Sequence, residues 1–394
     1  GYPTAIFSAA MEDNVMFCRK RSEKTLYLDH GATTYPHPPC VLHAMEQCMD
    51  FHGGNPGRGS HKLAEKAAEE IYTCREVVAD TFHLVPERVV FTKNTTEGLN
   101  IALAGLLSDG DHVFLDDMAH NATYRPLYHL TESRNVTCTL YPSGAPREEL
   151  FPYLDAHSTP TTRMLVLTHQ SNVCSHVGHA DLLAEYCRTR GLLFVVDAAQ
   201  SGGHLPIDVD GWGAAAVCMP GHKGLLGPQG TGLLLLGENV PELTPLLFGG
   251  SGSHSLDPTM PADLPEHLEA GTLNTPGIAG LREGILYRKA HPEIAENAAQ
   301  YAHRLGDALS RCEGVTVHGS YDHGTVSFTM DRMLPGEIAY RLNEHGICVR
   351  SGYHCAPIAH RTLGTAENGT VRVSFGYGNR AADVDRFLDI FHKI

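Results

Sequence analysis

The 394-residue sequence contains no stretch of 18 consecutive apolar residues, which removes the ordinary signature of a membrane-spanning helix. Positive charge is scarce: 30 Lys and Arg stand against 45 Asp and Glu, a formal net charge of −15. That balance argues against nucleic acid as the main partner, because neutralising phosphates needs a basic surface, and fits ordinary solubility instead. The eleven cysteines, spread from Cys18 to Cys355, include no C-x-x-C pair and no paired spacing. An odd, unpatterned set in a long chain points to a reducing, cytoplasmic setting, with neither a disulfide framework nor a metal site expected. The first 25 residues lack a charged n-region followed by an apolar one, so no secretory signal is expected, and Gly1 suggests a trimmed start. Repeats and low-complexity tracts are also missing.

What is present is length and alternation. Single cores rarely outgrow about 250–300 residues, so two domains are expected. Between about 36 and 240, apolar runs (89–92, 112–117, 137–142, 164–169, 192–199, 214–219 and 230–237) alternate with helical stretches such as 61–82 and 180–191. Near-continuous apolar strands separated by helices predict an α/β domain with a mainly parallel seven-stranded sheet covered on both faces. The large domain is placed at 36–276, closing in a Gly-, Ser- and Pro-rich segment (241–276) too long to be filler. Residues 277–394, with 1–35, are assigned to a smaller α+β domain.

Ligands of such sheets bind beyond the carboxyl ends of the strands. Polar residues collect at five such ends: Thr95 and Thr96, His120, Asn172, Asp197 and Lys223. In GHKGLLGPQGTG (221–232), Lys223 stands between glycines just after an apolar strand, where a lysine can lose its charge and act as a nucleophile or base. The same pattern also suits a lysine snorkelling from a turn. Asp197 ends an apolar run, where a carboxylate needs a cation, and a protonated pyridine nitrogen would supply one. The threonines of NTTEGLN (94–100) open a helix, a ready anion site, although a plain N-cap aided by Glu97 explains them locally. His120 has the chemistry to stack on a ring and move protons.

The order TTEG, MAHNA, SNV, VVDAAQ, GHKG, EAGT and GYHCAP resembles the cysteine desulfurase and selenocysteine lyase group of class V aminotransferases, within the fold-type I enzymes that use pyridoxal 5′-phosphate (PLP). The resemblance runs from residue 27 to 379. It implies that Lys223 carries the cofactor as a Schiff base and that His222, Thr95 and Thr96 bind its phosphate. Asp197 would pair with the ring nitrogen, Gln200 and Asn172 would address the ring hydroxyl, and His120 would stack on the ring. Thr272 of EAGT would reach the phosphate of a neighbouring subunit, making a homodimer with shared sites. Arg372 would clamp the substrate carboxylate, with Asn172 nearby.

Cys355, in a loop bounded by Gly352 and Pro357 with His354 and Arg350 as neighbours whose charge would favour its thiolate, would accept sulfur from L-cysteine as a persulfide, leaving L-alanine. Lys223 would move the Cα proton, His120 would serve the substrate thiol, and a sulfur-acceptor protein becomes a possible partner. L-selenocysteine is the alternative substrate. A C–S lyase, epimerase or aminotransferase reaction is more distant, and a PLP-fold scaffold or sulfur-relay partner is the reading without catalysis. Two positions depart from the group. Pro220 stands where a hydroxyl residue is usual and offers neither hydroxyl nor N–H. His30 stands where a small polar residue is usual.

Overall fold

A computed structural model describes residues 25–57 and 59–394. The part of the N-terminal segment up to residue 24, expected to join the smaller domain, lies outside the described residues. In chain order the first elements are β1 (Leu26–Tyr27), α1 (Pro39–Phe51), α2 (Lys62–Phe82), β2 (Val89–Thr92), α3 (Thr95–Leu106), β3 (His112–Asp116), α4 (Asn121–Arg134) and β4 (Thr137–Tyr141). Then follow α5 (Arg147–His157), β5 (Thr162–Thr168), α6 (Ala180–Arg190), β6 (Leu193–Asp197), β7 (Ala216–Pro220), β8 (Gly232–Leu236) and α7 (Thr275–Ala290). The chain ends with α8 (Glu293–Ser310), β9 (Val315–His318), β10 (Thr325–Met330), α9 (Pro335–Glu344), β11 (Ile347–Cys348), β12 (Arg350–Gly352), α10 (Pro357–Thr362), β13 (Thr370–Ser374) and α11 (Ala381–Phe391).

The seven apolar runs form one sheet in the order β2-β8-β7-β6-β5-β3-β4. β8 is antiparallel to both of its neighbours and every other pairing is parallel. β2, β3, β5, β6 and β7 therefore all point their carboxyl ends at one edge. Two apolar clusters pack on the two faces, one around Phe114, Leu165, Phe194 and Val217, the other around Leu115, Val166, Val195 and Leu234. Alternate residues of every strand but the largely exposed edge strand β4 thus face opposite clusters, which is why those strands read as continuous apolar runs.

The second unit is an antiparallel sheet in the order β12-β13-β10-β9. Its core joins Val326, Phe328, Val371 and Val373 to Leu305 of α8, Leu342 of α9 and Phe387 of α11. β1 pairs with β11 in parallel, and Leu26 and Leu28 enter this same core. α7 instead sends Ile278, Leu281 and Ile285 into the large-sheet cluster, so packing on that sheet continues past the boundary placed at 276. Among the described residues no helix is long and apolar enough to cross a membrane.

Candidate active site

Helix starts and strand ends converge on a cavity of about 210 Å³ at the carboxyl edge of the large sheet. Thr95, Thr96, His120, Asn172, Asp197, Gln200, His222 and Lys223 all line it. α3 begins where Asn94 Oδ1 accepts the Glu97 N–H (2.9 Å), and α4 begins where His120 Nδ1 accepts the Ala122 N–H (3.0 Å). Because Nδ1 accepts, the neutral His120 ring carries its proton on Nε2. Burial, and next the Lys223 charge, push the His120 pKa down to about 3, so the ring is uncharged near neutrality.

Asp197 is 2% exposed. Its Oδ1 accepts the Ala199 N–H (2.9 Å), and among the described residues Oδ2 accepts only a long contact from Thr123 Oγ1 (3.5 Å). Burial raises its pKa, opposed by the Ala199 N–H and the Lys223 charge. A cation placed against Oδ2 relieves that burial penalty. Lys223 opens into the cavity, and its pKa falls from 10.5 to about 8 because of burial first and the Arg372 charge second. The loop that carries it is clasped by the N-terminal YLDHGATT segment. Thr34 donates N–H to the His222 carbonyl and Oγ1 to the Lys223 carbonyl (both 2.8 Å), and Thr33 Oγ1 pairs with His222 Nδ1 (3.1 Å). Burial, then the Lys223 charge, lowers the His222 pKa to about 4.

Arg372 is fully buried and is not among the cavity-lining residues. Its Nη2 donates to Asp29 Oδ1 (2.7 Å) and Nη1 to the Asn172 carbonyl (2.9 Å). It nevertheless abuts the cavity wall, since a Cβ on Gly31, a lining residue, would lie 3.1 Å from Arg372 Cζ. The guanidinium that does line the cavity is Arg350. Its Nη2 donates to Cys355 Sγ at 3.6 Å.

Cys355 is exposed and does not line the cavity in the single chain, but it is tied to the wall. Its carbonyl accepts the Asn121 N–H (2.7 Å), one residue beyond His120, and the His354 carbonyl accepts from Asn172 Nδ2 (2.7 Å). His354 and Cys355 both adopt left-handed backbone conformations (φ 49° and 58°), uncommon for residues with a Cβ and held by those two bonds. The expectation that His354 supplies positive charge to the thiol is corrected. Its Nε2 pairs with Thr370 Oγ1 (3.0 Å), and burial, reinforced by Arg372, pushes its pKa down to about 2. Arg350 alone of the two neighbours brings charge.

Thr272 is not brought to this cavity. It is exposed and lines a separate one of about 350 Å³. Glu269 of the same EAGT motif is a strut: it forms a bidentate pair with Arg75 (2.9 Å for each bond) and accepts the Phe91 N–H (2.7 Å), fixing this loop to β2. Sequence reasoning missed that role, the cavity-facing position of Arg350, and the clasp by Thr33 and Thr34. The motif spacing holds no sign of Glu269's partner 194 residues away.

The residues present fit a phosphorylated pyridine ring. Buried polar atoms without partners among the described residues, Thr95 Oγ1, Gln170 Oε1 and Asn172 Oδ1, belong to residues that line the cavity together with an amine and a carboxylate. This fold, with a buried lysine and a buried carboxylate lining one cavity, is that of a PLP enzyme of fold type I. The aminotransferase class-V profile matches residues 26–387, and the chain belongs to that family, in its cysteine desulfurase group. It is 35% identical over 379 residues to a probable cysteine desulfurase of Methanothermobacter thermautotrophicus, covering 94% of each chain. It is 30% identical over 387 residues to a probable cysteine desulfurase of Pyrococcus abyssi, covering 95% of each. Among solved structures, the apo cysteine desulfurase of Thermococcus onnurineus superposes with a TM-score of 0.84 at 30% identity, covering 94% of each chain. The cysteine desulfurase CsdA of Escherichia coli, in S-sulfonic acid form, gives 0.85 at 26% identity, covering 95% of each.

Proposed function

We propose that the protein is a PLP-dependent cysteine desulfurase that draws sulfur from L-cysteine onto Cys355. Membership of the cysteine desulfurase group supports the reaction. The observation that carries the site assignment is the tie between Cys355 and the wall of the cavity that Lys223 lines, through Arg350 and through Asn121, the residue after His120. PLP held there on Lys223 supplies a carbonyl for the substrate amine and an electron sink for the charge left at Cα.

The remaining chemistry belongs to the chain. Asp197 keeps the ring nitrogen protonated, His120 covers the ring, and Gln200 and Asn172 address its hydroxyl. Thr95, Thr96 and His222 take the phosphate. The Lys223 amine, neutral in an appreciable fraction near pH 8, moves the Cα proton. Arg372, reached past Gly31, and Arg350 balance the substrate carboxylate. The Cys355 thiolate attacks the substrate sulfur, the C–S bond breaks with its electron pair passing to the carbon side, Cβ gains a proton to become the methyl group of alanine, and Cys355 keeps the sulfur as a persulfide. His120, with its proton on Nε2, would serve the substrate thiol as a hydrogen-bonding partner. Exposure of Cys355 suits onward transfer to an acceptor protein in the cytoplasm. Exposed Thr272, fixed by the Glu269 strut, suits a homodimer in which it completes the partner's phosphate site.

The test is the activity of Cys355→Ala on two substrates. Loss of alanine and sulfide formation from L-cysteine with retention of selenide release from L-selenocysteine is expected, because selenol leaves more readily. Wild-type rates with L-cysteine would remove the persulfide step.

A further inference from the structure

One corner of the cavity is lined by a residue that has no hydrogen-bond donor. Thr92, Gly232 and Pro220 lie in one row across β2, β8 and β7, since both Thr92 and Pro220 register with Gly232. Pro220 lines the cavity here with neither an N–H nor a hydroxyl to offer. On the other side of Gly232, at the end of β2, stands Asn94, and a Cβ on Gly232 would come within 2.8 Å of Asn94 Cα. Asn94, Thr95 and Thr96 line the same cavity.

The donors at this corner can be assigned one by one. The Glu97 N–H is taken by Asn94 Oδ1 and the Gly98 N–H by the Asn94 carbonyl, which leaves the Thr95 and Thr96 N–H groups at the open end of α3. Thr95, 5% exposed, has an Oγ1 without a partner. Glu97, the carboxylate of this turn, is turned back on the chain: it accepts the Lys93 N–H and pairs with Lys93 Nζ at 3.6 Å. Capping fixes the Asn94 amide with its oxygen occupied, so the two N–H bonds of Nδ2 remain as donors beside the helix terminus.

We propose that Asn94 is a ligand of the cofactor phosphate, its Nδ2 supplying at this corner the hydrogen bond that Pro220 cannot give. The assignment rests on PLP occupying this cavity. It makes Asn94 both the cap that starts α3 and a contact to the anion at that helix's N-terminus, where dipole and free N–H groups already favour phosphate. A hydrogen bond to a charged group is the stronger kind, and its loss at this site corresponds to roughly tenfold or more in affinity.

The test compares PLP with pyridoxal, which has the same ring and aldehyde but no phosphate. Cofactor-free wild type, Asn94→Asp and Pro220→Ser are titrated with each, and binding is read as the dissociation constant from visible absorbance. Asn94→Asp keeps an acceptor for the Glu97 N–H, so the cap and fold are retained, but replaces the donor with a negative charge. More than tenfold weaker PLP binding is expected, with pyridoxal within about twofold of wild type. Pro220→Ser, with a hydroxyl restored, binds PLP several-fold more tightly and softens the Asn94→Asp loss in the double variant. Equal loss for both ligands, or none for either, overturns the role of Asn94 while PLP binding itself stands. A wild-type protein that binds neither ligand overturns the cofactor reading and this assignment with it. Should Pro220→Ser fail to fold, the Asn94→Asp comparison decides alone.

Discussion

Lys223 should react with PLP at a rate set by its surroundings, and the size of that effect follows from its pKa. Burial and the Arg372 charge bring it from 10.5 to about 8, against the pull of Asp197. At pH 7 roughly one amine in ten is then neutral, compared with roughly one in three thousand for a lysine titrating at its ordinary value. Only the neutral amine attacks an aldehyde, so condensation near neutrality should exceed that of an ordinary lysine by about 300-fold. The sign is that of a base: the rate climbs as pH rises and levels off above about 8. Two substitutions should move the midpoint in opposite directions. Arg372→Met removes a like charge and moves it up, and Asp197→Asn removes an opposing charge and moves it down. The assay mixes cofactor-free protein with PLP between pH 6 and 10 and follows borohydride-reducible cofactor, with Lys223→Ala as the blank. A rate still climbing at pH 10, or a midpoint that shifts the same way in both variants, refutes the reasoning.

Other expectations are independent of that one. His120, its pKa held near 3 by burial and the Lys223 charge, should show ring resonances in cofactor-free protein that stay constant between pH 5 and 7; an inflection near 6.5 would contradict its enclosed position. Glu269→Ala strands the buried Arg75 guanidinium and the Phe91 N–H, and should cost about 3–5 kcal/mol in denaturant unfolding. A loss under 1 kcal/mol would mean that the EAGT loop is not pinned through this pair.

The large sheet was legible because its strands are buried on both faces and so spell unbroken apolar runs, from Met164–Leu167 to Leu233–Leu236. β4, one of the sheet's two edges, is the exception, exposed over most of its length and closing on buried Tyr141. The short pieces β1 and β11, which form a two-stranded sheet of their own, and β12 of the second sheet span two or three residues and leave no period to detect. Site residues at strand ends were legible for a different reason: a polar residue closing an apolar run, as Asp197 does, has to be accounted for chemically. Relations across the chain were not. Asp29 meets Arg372 over 343 positions, and the Asn172 carbonyl meets the same guanidinium over 200, so local pattern could name Arg372 but not show it enclosed. The neutrality of His354 was hidden likewise. Its position beside Cys355 suggests a charge, and only its packing against Thr370 and His360 shows that burial removes it.

The most direct test of a desulfurase acting through Cys355 is the mass of the peptide carrying that residue after limited turnover of L-cysteine, with free thiols and persulfides trapped by alkylation. One added sulfur on Cys355, formed with alanine and absent from Lys223→Ala, is the expected result. Alanine and sulfide produced at full rate with Cys355 never carrying the extra sulfur would contradict it.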